Sequence, residues 1–183
     1  FKMENNARLN LSGDVQIRVD GNMEMANLAR ITIGAGAQVE IYVGGDVDLR
    51  GRGIENNTGA AENFVIYGTK TSLPRQKIEI EPFLAGPDLY GVVYAPQAEV
   101  QLHSSLLGGD RVFGAVVAHE IDLSSYPVST HYTYDTALED FAFDDARIAR
   151  PDYHVEAWVE FRPGDSAYAP GNPGYLDMSA YGL

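Results

Sequence analysis

The first fifty residues repeat one alternating pattern of apolar and polar positions. The segment GDVQIRVDGNMEMA at 13–26 aligns without a gap with AQVEIYVGGDVDLR at 37–50, and RLNLSG at 8–13 aligns with RITIGAG at 30–36. Apolar residues at every second position predict short strands that bury one face. The aligned apolar pairs are Leu9–Ile31, Leu11–Ile33, Val15–Val39, Ile17–Ile41, Val19–Val43, Met23–Val47 and Met25–Leu49. Each copy therefore holds three short strands, separated by corners rich in glycine, asparagine and aspartate.

The spacing of these strands indicates the architecture. Three short strands in each repeat of about two dozen residues is typical of a β-solenoid, in which one coil cannot bury its own apolar face and stacked coils share a core. Parallel stacking also pairs the backbone groups of each coil with the coils above and below. We therefore predict an all-β, single-stranded parallel β-helix, right-handed because parallel crossovers prefer that hand.

The repeat continues in weaker form to about residue 125, which gives about five coils. The segments at 62–72 and 76–82 keep the apolar alternation, whereas 51–60 is predicted to be a loop that bulges from a corner. A second internal match then aligns YGVVYAPQAEVQL at 90–102 with FGAVVAHEIDL at 113–123, with the glycines of both segments in register.

The pattern changes after this point, which defines three predicted regions. We expect a β-solenoid over 1–128, a cap with one packed strand over 129–162, and an irregular tail over 163–183 that is rich in proline, glycine and tyrosine. A cap is expected because the last coil of a solenoid would otherwise expose an unpaired edge.

The order of the motifs at 90–96, 113–118 and 131–138 resembles a bacterial cell-surface domain. Its typical string is GAVYAP, a strand, a glycine-rich turn, YGAVVA, another strand and HYD, and it commonly follows a PilX-type segment of type IV pilus assembly proteins. The resemblance implies a β-helical, non-enzymatic domain that is extracellular or envelope-associated, in a Gram-negative bacterium. In general design the solenoid also resembles bactofilins.

Composition narrows the classes of partner. The net charge of −13 disfavours nucleic acid and anionic lipid, because an acidic surface repels phosphates. The absence of cysteine excludes disulfides and thiolate metal sites. No stretch approaches the length of a membrane-spanning helix, so we expect no direct membrane insertion by this chain. The opening FKMENNARLN is not a signal peptide, and we expect the chain to be a processed product or an excerpt.

Acidic side chains recur at the outward positions of the predicted strands. Residues at equivalent positions of successive coils lie about 4.8 Å apart, so stacked carboxylates repel unless a cation lies between them. Such a ladder would bind Ca²⁺ through oxygen ligands, although a solvated acidic face is the preferred interpretation. The candidate metal ligands are Glu99, Glu120, Asp122, Asp144 and Asp145, and Glu99 and Glu120 are equivalent in the second internal match and are therefore expected in close contact. We predict no other cofactor.

Tyrosines and histidines supply candidate contacts to a partner or a glycan. The candidates are Tyr42, Tyr94, His103 and His119. Tyrosine rings stack on sugars or bury in a protein partner, but tyrosines half-buried on the solenoid wall are the preferred interpretation. The two histidines end matching segments and are expected near each other on one face, but none of the four histidines has zinc-site spacing.

These observations predict a non-catalytic structural or adhesive module of a cell-surface or pilus-associated protein. Its partners would be pilus or envelope proteins, or surface glycans. The basic residues form no cluster, and no pair of carboxylates has a fixed catalytic spacing, so we predict no enzymatic activity. Two alternatives stay open. One is a module that binds or cleaves an extracellular polysaccharide, and the other is a filament subunit that self-associates through the solenoid ends.

Overall fold

All strand pairs described in the structure are parallel, which confirms the predicted solenoid. The computed structural model describes residues 1–50, 53–81, 89–103, 111–123, 131–139 and 141. The strands are β1 (Lys2–Met3), β2 (Arg8–Leu11), β3 (Asp14–Val19), β4 (Met23–Met25), β5 (Arg30–Ile33), β6 (Gln38–Val43), β7 (Val47–Leu49), β8 (Gly53–Asn56), β9 (Phe64–Gly68), β10 (Lys77–Ile80), β11 (Leu89–Leu102), β12 (Arg111–Asp122) and β13 (His131–Tyr134). Two 3-10 helices cover Ala61–Asn63 and Thr136–Leu138.

The strands stack into three walls. Wall A contains β3, β6, β9, the first half of β11, the first half of β12, and β13. Wall B contains β1, β4, β7, β10 and the second halves of β11 and β12. Wall C contains β2, β5 and β8. A register shift between Ala95 and Glu99 marks the place where β11 passes from wall A to wall B.

The register of the first two coils agrees with the sequence alignment at every predicted apolar pair. Leu9 lies opposite Ile31, Val15 opposite Val39 and Met23 opposite Val47. These columns point inward and form one continuous core. Each fully buried aliphatic side chain contributes about 1.5–3 kcal/mol of hydrophobic stabilisation. Alternation fixes this register strongly, because a slip by one residue would turn every apolar side chain outward.

The prediction of a loop over 51–60 is wrong for its central residues. Gly53–Asn56 forms β8, which extends wall C, and Ile54 lies opposite Ile31 and is buried. The Asn56 side-chain amide donates to the carbonyl oxygens of Ala60 (3.2 Å) and Tyr90 (2.8 Å), and its oxygen accepts from Thr58. One stacked isoleucine and one hydrogen-bonded asparagine therefore hold a strand that lacks an apolar alternation.

The glycines that align in the second internal match lie where neighbouring coils pack too closely for a side chain. Phe64 points inward from wall A and is buried. A Cβ atom at Gly91 would lie 2.4 Å from Cδ1 of Phe64, and a Cβ atom at Gly114 would lie 1.9 Å from the carbonyl oxygen of Gly91. Gly114 also has a φ of +134°, a conformation that L-residues rarely adopt. The repeated glycine therefore has a steric role inside the solenoid.

The parallel stack continues past the predicted boundary at residue 128. His131–Tyr134 pairs with β12, so Tyr132 lies opposite Val112 and packs against the core. The Tyr132 hydroxyl donates to the carbonyl oxygen of Leu102 on wall B, at 3.1 Å. Tyr132 thereby spans the end of the solenoid from wall A to wall B. The predicted tail over 163–183, and most of the predicted cap, lie outside the described residues.

Candidate functional site

The outward surface of wall A carries a column of tyrosines. Tyr42, Tyr67 and Tyr94 occupy equivalent positions on three successive coils. The rings of Tyr42 and Tyr67 stack with centroids 4.7 Å apart, and Tyr94 meets Tyr67 edge-on at 6.1 Å. Tyr67 is only 1% exposed and Tyr42 is 9% exposed. The column is therefore largely a packed layer, and each ring pair contributes about 0.5–1.5 kcal/mol beyond its buried area.

A second apolar cluster covers this side of wall A. Its buried members are Tyr42, Ala61, Val65, Tyr67, Val92 and Leu138, with Tyr94, Ala115 and Phe141 packed against them. Leu138 belongs to the second 3-10 helix, which lies far along the chain from β9 and β11. Wall A therefore buries side chains on both of its faces, an arrangement found in parallel sheets that are covered on both sides.

A polar contact fixes the segment that carries Leu138. The Tyr90 hydroxyl lies 3.4 Å from Oδ2 of Asp135 and 3.3 Å from the carbonyl oxygen of Gly59. Oδ1 of Asp135 accepts a hydrogen bond from the backbone N–H of Ala137, which caps the 3-10 helix. Burial raises the pKa of Tyr90, and the negative charges of Asp135 and Glu62 raise it further. The phenol therefore stays protonated and acts as a hydrogen-bond donor at neutral pH.

The outward surface of wall B is charged. Asp48 lies opposite Glu24 on one side and Glu79 on the other, and Glu99 lies opposite Glu120, as the sequence predicts. Cations interrupt these columns. These are Lys2 beside Glu4 and Glu24, Arg50 beside Asp48, and Lys77 opposite Glu99. Hydrogen bonds and charge from these carboxylates raise the pKa of Lys2 and of Arg50.

The predicted calcium ligands are only partly brought together. Asp122 lies on the same strand as Glu120, opposite Gln101 rather than opposite an acidic residue. Asp144 and Asp145 lie outside the described residues. Among the residues that the structure describes, no group of three or more histidine, aspartate or glutamate side chains is arranged to hold a metal ion. Calcium binding stays a prediction.

The two candidate histidines do not face each other. His119 directly precedes Glu120, whose partner is Glu99, whereas His103 lies four residues beyond Glu99. At a rise of about 3.3 Å per residue, this places them about 13 Å or more apart along the strand direction. The expectation that they lie near each other on one face is therefore not supported by the register.

One buried polar residue could not be anticipated from the alternation of apolar positions. Gln76 is 1% exposed, and its side-chain amide donates to the carbonyl oxygens of Val43 (2.9 Å) and Gly45. It closes the corner between walls A and B below an exposed loop. The signal that could have indicated a longer corner is the spacing of the wall B strands. Ile78 stacks on Val47 across 31 residues, whereas Val47 stacks on Met23 across 24.

Comparison with known proteins gives a family without an assigned role. The profile of a domain of unknown function, DUF7305, matches residues 1–141. The chain belongs to the DUF7305 family. No curated protein and no solved structure matches the chain. The DUF7305 match ends at Phe141, so it includes all the strands and the Leu138 segment described above.

The described helices were compared with the requirements for crossing a membrane. In the part of the chain that the structure describes, no helix has the length and hydropathy needed to cross a bilayer. Walls A and B and the corner between them present different surfaces in the described residues. These are the covered tyrosine layer of wall A, the charged surface of wall B, and an exposed loop at the corner between them.

Proposed function

We propose that this DUF7305 domain is a non-catalytic structural or adhesive module of a bacterial cell-surface or pilus-associated protein. The observation that carries the proposal is that the outward tyrosines of wall A are packed within the protein. Tyr42 and Tyr67 are the side chains best suited to stack on a ligand, yet they pack against each other and under Leu138. The outward aromatic residues thus belong to a rigid scaffold.

The stacking of the walls supports the same role. Parallel pairing continues through wall A from β3 to β13, and Tyr132 ties the last coil to wall B. Coils stacked in parallel register form a stiff scaffold, and loops positioned by a rigid scaffold commonly carry recognition. The motif order at 90–96, 113–118 and 131–138, with its resemblance to surface domains that follow PilX-type segments, supports a location at the cell envelope or pilus.

Two experiments test the proposal. In the bacterium that encodes the protein, antibodies against this domain are expected to label intact cells or purified pili, and deletion of the gene is expected to reduce surface attachment or piliation. The purified domain is expected to leave acidic polysaccharides intact in turnover assays. Matched samples of the Glu99→Gln and Glu120→Gln variants serve as controls in the same assays.

Opposite results would overturn it. Turnover of a polysaccharide that is abolished by one carboxylate substitution would assign the domain to the polysaccharide-active class. Labelling confined to the cytoplasm of permeabilised cells would exclude a surface role. Binding to a glycan array that depends on Tyr94 or His119 would retain an adhesive role and identify its ligand.

A further inference from the structure

One corner of the solenoid carries an insertion. The turn between β9 and β10, which we call the basic loop (residues 69–76), is part of a coil in which the wall B repeat is 31 residues instead of 24. In repeat proteins, insertions into single repeats map to surface loops and often to the binding face. Loops presented by a rigid scaffold are also the usual carriers of recognition.

The base of the basic loop is fixed. Both the backbone N–H and the hydroxyl of Thr69 donate to the carbonyl oxygen of Val43, at 2.9 and 3.0 Å. The Gln76 amide donates to the same carbonyl and to that of Gly45. A buried amide is tolerated because it is hydrogen-bonded, and the same bonds hold the two ends of the loop against the corner.

The tip of the basic loop exposes an apolar side chain beside a cation. Leu73 is 82% exposed, more than any other large apolar residue described in the structure. The loop also contains Lys70 and Arg75 and no acidic residue, although the chain has a net charge of −13. Lys70 is mostly buried and pairs with Asp46 at 3.7 Å, so Arg75 is the exposed cation beside Leu73. A tip of this kind fits an apolar surface with an acidic rim. An anionic membrane fits less well, because one leucine gives little insertion energy and wall B is acidic.

The chain itself provides such a surface at the far end of wall B. Ile121 and Leu123 are 43% and 50% exposed, although Ile121 continues the core-facing column of Val100. Glu120 and Asp122 alternate with them and are exposed. In the described residues, no further strand stacks on this end of wall B. We call Glu120, Ile121, Asp122 and Leu123 the end patch.

We propose that the basic loop of one copy docks on the end patch of a second copy. Leu73 would bury its side chain against Ile121 and Leu123, and the exposed guanidinium of Arg75 would face Glu120 and Asp122. The two surfaces differ, so the contact is heterologous and adds copies in an open row unless the row closes on itself. The inference rests on the proposed structural role and names one partner for it.

The test uses two variants that each disable one surface. Leu73→Ser removes the tip, and Leu123→Ser weakens the end patch; both positions are exposed, so the fold is expected to be retained. Sedimentation velocity over a concentration series is expected to show self-association of the wild-type protein. Each variant alone is expected to associate at least about tenfold more weakly, since one buried leucine contributes that much or more.

The mixture of the two variants gives the decisive result. A Leu73→Ser copy retains an intact end patch, and a Leu123→Ser copy retains an intact basic loop. An equimolar mixture is therefore expected to form dimers and nothing larger. Leu28→Ser is the matched control, because Leu28 is 42% exposed at a different corner. That variant is expected to associate like the wild type.

Three outcomes would overturn the proposal. These are a wild-type protein that stays monomeric at high concentration, self-association that Leu73→Ser leaves unchanged, and a mixture that behaves like the separate variants. Leu73-dependent binding to vesicles of anionic phospholipid without self-association would assign the loop to a membrane instead. A monomeric protein that still labels the cell surface would leave the proposed function intact and remove only this contact.

Discussion

Walls A and B have the same interior and opposite exteriors. Both place aliphatic side chains inward at every second residue, and both stack in parallel register. Outside, wall A carries Tyr42, Tyr67 and Val92 under Leu138, whereas wall B carries Glu24, Asp48 and Glu79 beside solvent. The core therefore maintains the repeat within the chain, while the outward positions are free to become either a covered layer or a charged surface.

The largest effect is expected inside wall A, at Gly114. The Gly114→Ala substitution would place a Cβ atom 1.9 Å from the carbonyl oxygen of Gly91, at a φ of +134°. Overpacking and backbone strain together predict a loss of about 5 kcal/mol in the free energy of unfolding. Urea denaturation measures it.

Gly13→Ala is the control for Gly114→Ala. Gly13 has a φ of +73°, but beyond its chain neighbours no atom lies within 4 Å of the methyl carbon that alanine would add. A loss of about 1–2 kcal/mol is expected there, from the backbone conformation alone. Equal losses at the two glycines would contradict the view that Gly114 is required because its coil packs closely against the backbone of Gly91.

A smaller effect is expected when the outward faces are compared directly. Tyr67→Ala removes a ring that is 1% exposed and contacts both Tyr42 and Tyr94, so a loss of about 3–4 kcal/mol is expected. Gln101→Ala alters an outward position of wall B and is expected to change stability by less than about 0.5 kcal/mol. Both values come from chemical denaturation. A Tyr67 variant as stable as the Gln101 variant would mean that wall A is not a covered layer.

The next effect concerns the contact between Tyr90 and Asp135, which holds the segment that carries Leu138. Because the pKa of Tyr90 is raised in the folded protein, the phenol ionises more easily in the unfolded chain, near pH 10. Its contribution is therefore complete below about pH 10 and is lost as the pH rises through the folded-state pKa. Tyr90→Phe is expected to lower stability by about 1 kcal/mol at pH 7, since Asp135 and Gly59 lose their donor.

The dependence of stability on pH in alkaline solution distinguishes loss of the Tyr90 contact from a general packing effect. Stability of Tyr90→Phe is expected to fall less steeply above about pH 10 than stability of the wild type. Tyr134→Phe, which removes the hydroxyl of a tyrosine that is 42% exposed, is the matched control. An identical alkaline slope in wild type and Tyr90→Phe would show that Tyr90 does not couple ionisation to folding.

The interior was predictable from the sequence because alternation is a local signal. Val15, Ile17 and Val19 predict both the buried face of their strand and its partners in the next coil, and the structure agrees. The weaker element β8 was missed because its stability comes from one stacked residue, Ile54, and from side-chain hydrogen bonds of Asn56 that no pattern of hydrophobicity records.

The exterior was not predictable in the same way, because its contacts join distant residues. Nothing near Tyr67 in the sequence indicates that Leu138 will cover its cluster, and nothing near Tyr132 indicates that its hydroxyl will reach Leu102. The acidic columns of wall B are an exception, because they could be predicted. The pairing of Glu99 with Glu120 was predicted correctly, since it depends only on register.

That pair gives the smallest and sharpest test of wall B. Glu99 and Glu120 lie opposite each other, and like charges placed directly opposite in a sheet are destabilising by a fraction of a kcal/mol. At low ionic strength and low protein concentration, Glu120→Gln is therefore expected to stabilise the protein by about 0.3 kcal/mol, and salt is expected to cancel the gain. Glu55→Gln is the control of opposite sign, because it removes the ion pair with Arg30 at 3.0 Å. Addition of Ca²⁺ distinguishes two interpretations of this column. If Ca²⁺ raises the melting temperature of the wild type but not of Glu120→Gln, the column is a calcium ladder and wall B has a ligand. If Ca²⁺ leaves both melting temperatures unchanged while the charge effects hold, wall B is a solvated acidic surface whose repulsion is balanced by its neighbouring lysines and arginine.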